Sequence, residues 1–265
     1  MLLVDSNPES QIPTTDRAMQ YGDGCFTTIL VEQGKPQLFS AHLQRLQNAC
    51  SRLDITIANW TDIEAACLQK AAAITDGVLK VLISRGSGGR GYLPPQQPLP
   101  RVLFSTHELP AHYTSWQTSG IRLGLAKHRL AVSASLGGLK HLNRLEQVLI
   151  KTDWPDDKPD DVLVCDHDGF MIESSASNIF WLKNGIWFTP ELNNCGVEGV
   201  MRNHVAQCFE QFNIPLNIVK TKVCELESAN AVFICNSLMK IVPVTQFNQH
   251  HYDISSVTQL QKRIF

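Results

Sequence analysis

Beyond residue 160 the chain is a succession of short apolar runs separated by turns, and no other feature limits its possible folds so strongly. Residues 161–165, 170–173, 178–182, 186–189, 216–220, 231–235 and 241–244 have the length and apolar content of strands. Asp166-His167-Asp168-Gly169 turns the first run into the second, and Asn184-Gly185 is a strong hairpin signal further on. A helix interrupts the series after Gly199, with Val205, Cys208, Phe209 and Phe212 along one side. Pro243 has no N–H to give to a ladder, which places the run 241–244 at a sheet edge.

The first half mixes strands and helices. Residues 1–4, 25–31, 37–39, 78–84 and 101–107 read as strands. Ser40 is the expected N-cap of a helix whose apolar side is Leu43, Leu46, Cys50 and Leu53, with His42 and Arg45 off that stripe. Thr61-x-x-Glu64 reads as a capping box opening a second helix that closes at Gly77. Periodicity lapses over 108–120, and a further strand occupies 121–126. The expected organisation is an α/β (α+β) chain with domains at 1–110 and 120–265, joined by 111–119.

Several function classes are excluded early. The 23 basic and 25 acidic residues give a net charge of -2, which is no footprint for a nucleic acid. The 8 cysteines form no C-x-x-C pair and read as free thiols of a reducing compartment. The 9 histidines show no clustered metal-ligand spacing. Residues 1–13, with Asp5 and Glu9, lack the pattern of a signal peptide, and no apolar run is long enough to span a membrane. A soluble cytoplasmic protein is the expectation.

The chemistry centres on Gly137-Gly138-Leu139-Lys140-His141-Leu142-Asn143-Arg144-Leu145-Glu146-Gln147. Leu142, Leu145, Val148 and Leu149 fall at helical spacing, so one helix face should pack inward and hold Lys140. A desolvated lysine is a nucleophile and a base. A pyridoxal phosphate site needs such a lysine, an acid for the pyridine nitrogen and an anion cradle. Glu173, after an apolar run, could be the acid. The helix start at Gly199, Val200 and Met201 and the strand end at Asn236 and Ser237 could form the cradle, with Arg45 as its counter-charge. Arg85-Gly86-Ser87-Gly88-Gly89-Arg90-Gly91-Tyr92 matches no phosphate-loop pattern but offers Arg85 and Arg90 to a carboxylate.

Taken together, these segments resemble the fold-type IV pyridoxal-phosphate enzymes, a family of branched-chain aminotransferases, D-amino-acid aminotransferases and aminodeoxychorismate lyases. The likeness spans nearly the whole chain. His42-x-x-Arg45-Leu46 is similar to the family's phosphate-arginine helix, and Glu173-Ser174-Ser175-Ala176-Ser177-Asn178 to its glutamate segment. Gly199-Val200-Met201-Arg202 and Cys235-Asn236-Ser237 resemble its phosphate segments. Met201 replaces a common threonine and Asn236 a common glycine, so only the backbone amide carries over at Met201. Phe26-Thr27-Thr28 stands where aminotransferases more often have Phe-Glu-Gly, which favours the lyase branch. The resemblance implies a small N-terminal α/β sandwich and a larger barrel-like C-terminal domain in a homodimer. It also implies elimination of pyruvate from 4-amino-4-deoxychorismate in folate biosynthesis. Lys140 and Thr28 would be catalytic. Lys140, Glu173, Arg45, Asn178, Gly199, Val200, Met201, Asn236 and Ser237 would bind cofactor, and Arg90 or Arg85 substrate, Arg90 being favoured because Arg85 is closer to the strand. A D-amino-acid or branched-chain aminotransferase is the alternative on the same fold, and a non-catalytic cofactor carrier is a rival of another class. His141, Asn143 and Arg144 receive no separate roles.

Overall fold

The structure is a computed structural model describing residues 1–5 and 11–265. Glu9, part of the signal-peptide reading, lies outside the described residues. The chain divides into two units, Met1–Leu109 with Leu139–Arg144, and Pro110–Gly138 with Leu145–Phe265. The Lys140 segment, expected with the C-terminal part, therefore groups with the first unit.

In the first unit β1 (Leu2–Asp5), α1 (Arg17–Tyr21), β2 (Gly24–Glu32), β3 (Lys35–Pro36), α2 (Phe39–Arg52), α3 (Trp60–Ala72), β4 (Asp76–Ser84) and β5 (Arg101–His107) follow in order. Their sheet runs β1-β5-β4-β2-β3. β2 and β4 pair antiparallel from Gly24 opposite Ser84 to Glu32 opposite Asp76. Cys25, Thr27, Ile29 and Val31 share one side of β2 and are buried, as are Ile83, Val81 and Leu79 of β4 beside them. Burying each such aliphatic side chain contributes roughly 1.5–3 kcal/mol. α2 buries His42, Leu46, Ala49 and Cys50. His42, expected off the apolar stripe, is in the core because Thr27 meets its ring there. Phe26, Thr28 and Lys80 alternate to the opposite side of the sheet.

Local signals misplaced several boundaries. The expected strand 37–39 is absent: β3 ends at Pro36 and Phe39 already begins α2. Leu38 caps α2 in the left-handed region at φ 50, without a side-chain bond, so Ser40 lies inside the first turn. Asn59 caps α3 by accepting from Thr61 N–H at 3.0 Å, in place of the Thr61 capping box. α3 ends at Ala72, and Gly77 belongs to β4.

The second unit contains α4 (His112–Ser119), β6 (Ile121–Leu130), α5 (Leu145–Thr152), β7 (Asp161–Asp166), β8 (Met171–Ser174), β9 (Asn178–Lys183), β10 (Ile186–Pro190), α6 (Val200–Gln211), β11 (Leu216–Val219), β12 (Ala231–Asn236), β13 (Lys240–Phe247), β14 (His250–His251) and α7 (Ser255–Ile264). Every apolar run of this half became a strand. Their sheet runs β11-β10-β9-β12-β13-β6-β7-β8, with β14 on β13. Trp181, Leu163, Ile234, Val242 and Phe247 lie in its buried core. The mixed α/β class with two sheets agrees with the expectation.

Pro243, expected at an edge, sits in a strand paired on both sides. Pairing with β6 starts one residue later, at Val244 opposite Ile121, so no ladder bond on that side is asked of the proline. The expected connection 111–119 contains α4, whose Tyr113 and Trp116 pack on the core. α5 departs most. Leu145, Val148 and Leu149, expected inward, are 69%, 54% and 42% exposed, and only Ile150 of this helix is buried.

Candidate active site

Because β3 is so short, the edge of β2 facing away from β4 is open along its first half. Leu139–Arg144 occupies it. Phe26 N–H donates to Lys140 O and Leu142 N–H to Gly24 O, each at 3.0 Å, and Cys25 faces His141 across an antiparallel bridge. Such pairing dictates which side each residue takes. Lys140 joins Phe26 and Thr28, its Nζ 4.7 Å from the Phe26 ring centroid. Lys80, opposite Thr28 in register, places its own Nζ 5.2 Å from the same centroid. The ring thus faces two ammonium groups. Gly24 is needed for this approach, since a Cβ there would meet Ile83 O at 2.1 Å and Leu142 Cδ1 at 2.8 Å.

The three residues without expected roles hold this segment in shape. Arg144 Nε donates to His141 O at 3.0 Å, and Asn143 Nδ2 to Gly22 O at 3.2 Å. His141 Nδ1 accepts from Asn143 N–H at 3.2 Å. Burial, then the Arg144 charge, lowers the His141 pKa to about 4, so its ring is neutral at pH 7.

The glycine-rich loop is organised by a residue the sequence did not reveal. Arg17, buried, donates from Nη1 to Gly91 O at 3.1 Å and from Nη2 to Tyr92 O at 3.0 Å. Its Nε reaches Asp23 at 2.8 Å. Arg85 shares that carboxylate, at 2.7 and 3.1 Å, and spends its remaining reach on Asp54 O at 2.6 Å and Leu53 O at 2.7 Å. Burial would raise the Asp23 carboxyl, but its bonds to Arg85 and Arg17 hold it below the usual range. Arg85, a candidate for substrate, is therefore structural: its donors are committed within the fold. Arg90 is exposed on the same loop. Asp16, paired with Arg101 and accepting from Ser84 Oγ at 3.1 Å, anchors the start of α1.

On the other side of β2, His42 Nδ1 lies 2.6 Å from Thr27 Oγ1. Thr27 is thus enclosed, while Thr28 stays half-buried on the Lys140 side. Arg45, one turn beyond His42 in α2, is also half-buried.

In the second unit, β8 carries Glu173, whose Oε2 accepts from Val197 N–H at 2.9 Å. Asn178, first residue of β9, donates to Val197 O at 2.8 Å. These two bonds fix the bend before α6. A Cβ on Gly199 would fall 2.0 Å from Asn178 Oδ1, so only glycine allows the bend so close. α6 has no side-chain cap and no acid in its first turn, leaving the amides of Val200 and Met201 suited to an anion. Asn236 Oδ1 accepts from Leu238 and Met239 N–H, both at 2.9 Å, and its Nδ2 donates to Ser177 Oγ at 3.1 Å. Asn178 and Asn236, expected to touch cofactor, spend these side-chain bonds on shaping the loops instead. Ser237 is half-buried beside that turn.

The groups a phosphorylated pyridine cofactor requires are present in kind. There is a buried carboxylate at Glu173, a lysine on a fixed strand edge and an uncapped helix start free of acids. Among the described residues no group of three or more His, Cys, Asp or Glu could hold a metal ion, and no helix is long and apolar enough to cross a membrane.

Comparisons with known proteins point the same way. Residues 24–247 match the family described as amino-transferase class IV. An aminodeoxychorismate lyase of Vibrio harveyi is 35% identical over 245 residues, 92% of this chain and 90% of that protein. A D-alanine aminotransferase of Listeria innocua is 26% identical over 253 residues, 93% of this chain and 85% of that one. The solved 4-amino-4-deoxychorismate lyase of Pseudomonas aeruginosa superposes with a TM-score of 0.90 at 36% identity, covering 97% of this chain and 96% of that one.

Proposed function

We propose a lyase reading that starts from one fact: the chain belongs to the amino-transferase class IV family. Within it, the protein eliminates pyruvate from 4-amino-4-deoxychorismate and releases 4-aminobenzoate, a folate precursor. The observation that carries this reading is Lys140 held on the β2 edge, on the same side as Phe26, Thr28 and Lys80. The 35% identity to a lyase over most of the chain supports it.

When bound, pyridoxal 5'-phosphate supplies an electron sink for the carbon bearing the substrate amine. Lys140 would carry the cofactor, and its amine would take the proton from that ring carbon. Glu173 would hold the pyridine nitrogen protonated. Arg45, the Val200 and Met201 amides and the Ser237 loop would hold the phosphate. Thr28 positions the proton taken up by the departing enolpyruvyl group, which becomes pyruvate as the ring turns aromatic. The substrate has two carboxylates. Lys80, missed by the sequence reading because its side depends on a long-range register, suits one, and exposed Arg90 suits the other.

A homodimer covering the exposed apolar side of α5 belongs to the same reading. So does a cytoplasmic location, supported by eight free cysteines of which seven are buried. The test is the visible absorption of the lysine-linked cofactor, lost in Lys140→Ala, together with 4-aminobenzoate release by the wild type. If D-alanine converts the bound cofactor stoichiometrically to its amine form and no 4-aminobenzoate appears, the aminotransferase reading replaces this one.

A further inference from the structure

His42 is only 1% exposed, and its Nε2 has no hydrogen-bond partner among the described residues. Native cores seldom leave such an atom unmatched. The other ring nitrogen is well served: Nδ1 lies 2.6 Å from Thr27 Oγ1. Thr27 is fully buried, and His42 is the one described partner of its hydroxyl. A buried hydroxyl must place its proton on an acceptor, so Thr27 donates to Nδ1. Nε2 therefore carries the ring proton. Burial, reinforced by the charges of Arg45 and Lys140, lowers the imidazole pKa to about 3 and keeps it neutral. His42 is thus a fixed N–H donor that meets no acceptor among the described residues. Arg45 follows three residues later in α2, a spacing that puts both side chains on one flank.

We infer that His42 Nε2–H is a second donor to the anionic group held by Arg45, with Thr27 fixing the tautomer that makes it one. This rests on the cofactor reading above, in which that group is a phosphate. Neutral His42 adds a directional bond where Arg45 adds charge. It is a binding residue that takes no part in moving protons.

The test compares apoprotein titrated with pyridoxal 5'-phosphate and with pyridoxal, which lacks the phosphate. Binding is read from the lysine-linked absorption band. His42→Leu should weaken the phosphorylated form about tenfold or more, the usual worth of a bond to a charged group, and leave pyridoxal unchanged. His42→Gln, which can place an amide N–H near the Nε2 position, should recover part of that loss. Thr27→Val should show the same contrast at smaller size, and it decides the matter if His42→Leu fails to fold. Nitrogen-15 spectra of the apoprotein should report the Nε2-protonated tautomer and a shift of that nitrogen on adding inorganic phosphate. Equal weakening of both ligands, no weakening of either, or an Nδ1-protonated ring overturns the inference while the cofactor reading stands. Failure of the wild type to bind either ligand overturns both.

Discussion

Thr27 and Thr28 are adjacent and chemically identical, yet strand alternation gives them opposite tasks. Thr27 is locked to His42 in the core, whereas Thr28 shares the side of Lys140. Thr28→Val should leave cofactor binding intact and lower the rate of 4-aminobenzoate release by about 10²–10⁴-fold, as loss of a proton-handling group does. The two loop arginines divide in the same way. Arg85→Ala strips the half-buried Asp23 of one of its two arginine partners and should cost about 2 kcal/mol in chemical denaturation. Arg90→Ala should leave the unfolding midpoint unchanged and raise KM for the lyase substrate. Both arginines were visible in the sequence as cations on a glycine-rich loop. Arg85's place beside the strand favoured Arg90 already, but the reason Arg85 is committed was hidden, because it depends on Asp23 and on the carbonyls of Leu53 and Asp54, far away in the chain.

At the scale of elements, strands were more legible than helices. Each apolar run after residue 160 folded as a strand, because burial on both sides of a sheet demands a continuous apolar stretch. Helix limits were set by finer chemistry: a left-handed Leu38 and the Asn59 side chain, each two residues before the expected cap. α5 shows a different failure. Its apolar spacing was read correctly, but the spacing cannot say whether the side faces this chain or another. Leu145, Val148 and Leu149 remain exposed. The double variant Leu145→Asp with Val148→Asp should convert a dimer to a monomer in size-exclusion chromatography with light scattering. A wild-type protein that elutes as a monomer defeats the dimer reading.

Across the whole molecule, acid sensitivity follows from neutral imidazoles, with His204, its pKa lowered by burial, joining His42 and His141. His42 and His141 have pKa values lowered from 6.5 to about 3 and about 4. Below pH 6.5 the unfolded chain takes up protons that the folded chain refuses, so stability is greatest above that value and declines as pH falls toward 3. Asp23, whose carboxyl lies below 3.8 in the fold, adds a further loss at the acid end. The urea midpoint should drop between pH 7 and pH 4.5, and His42→Gln should flatten that slope. The candidate lysine, glutamate and helix start were legible because each is a chemically distinctive residue beside a turn. Lys80, Arg17 and the His42–Thr27 pair were not, since only strand register and packing bring them into play. The pairing of Leu139–Arg144 with β2 also sets an order in time. During synthesis at about 5–20 residues per second, the interval between making Thr28 and making Leu139 is on the order of ten seconds. Throughout it the nascent chain carries an unpaired strand edge, the kind that recruits neighbouring chains. Ribosome pausing before residue 139 would lengthen that exposure, and a message truncated there would yield a fragment prone to aggregate.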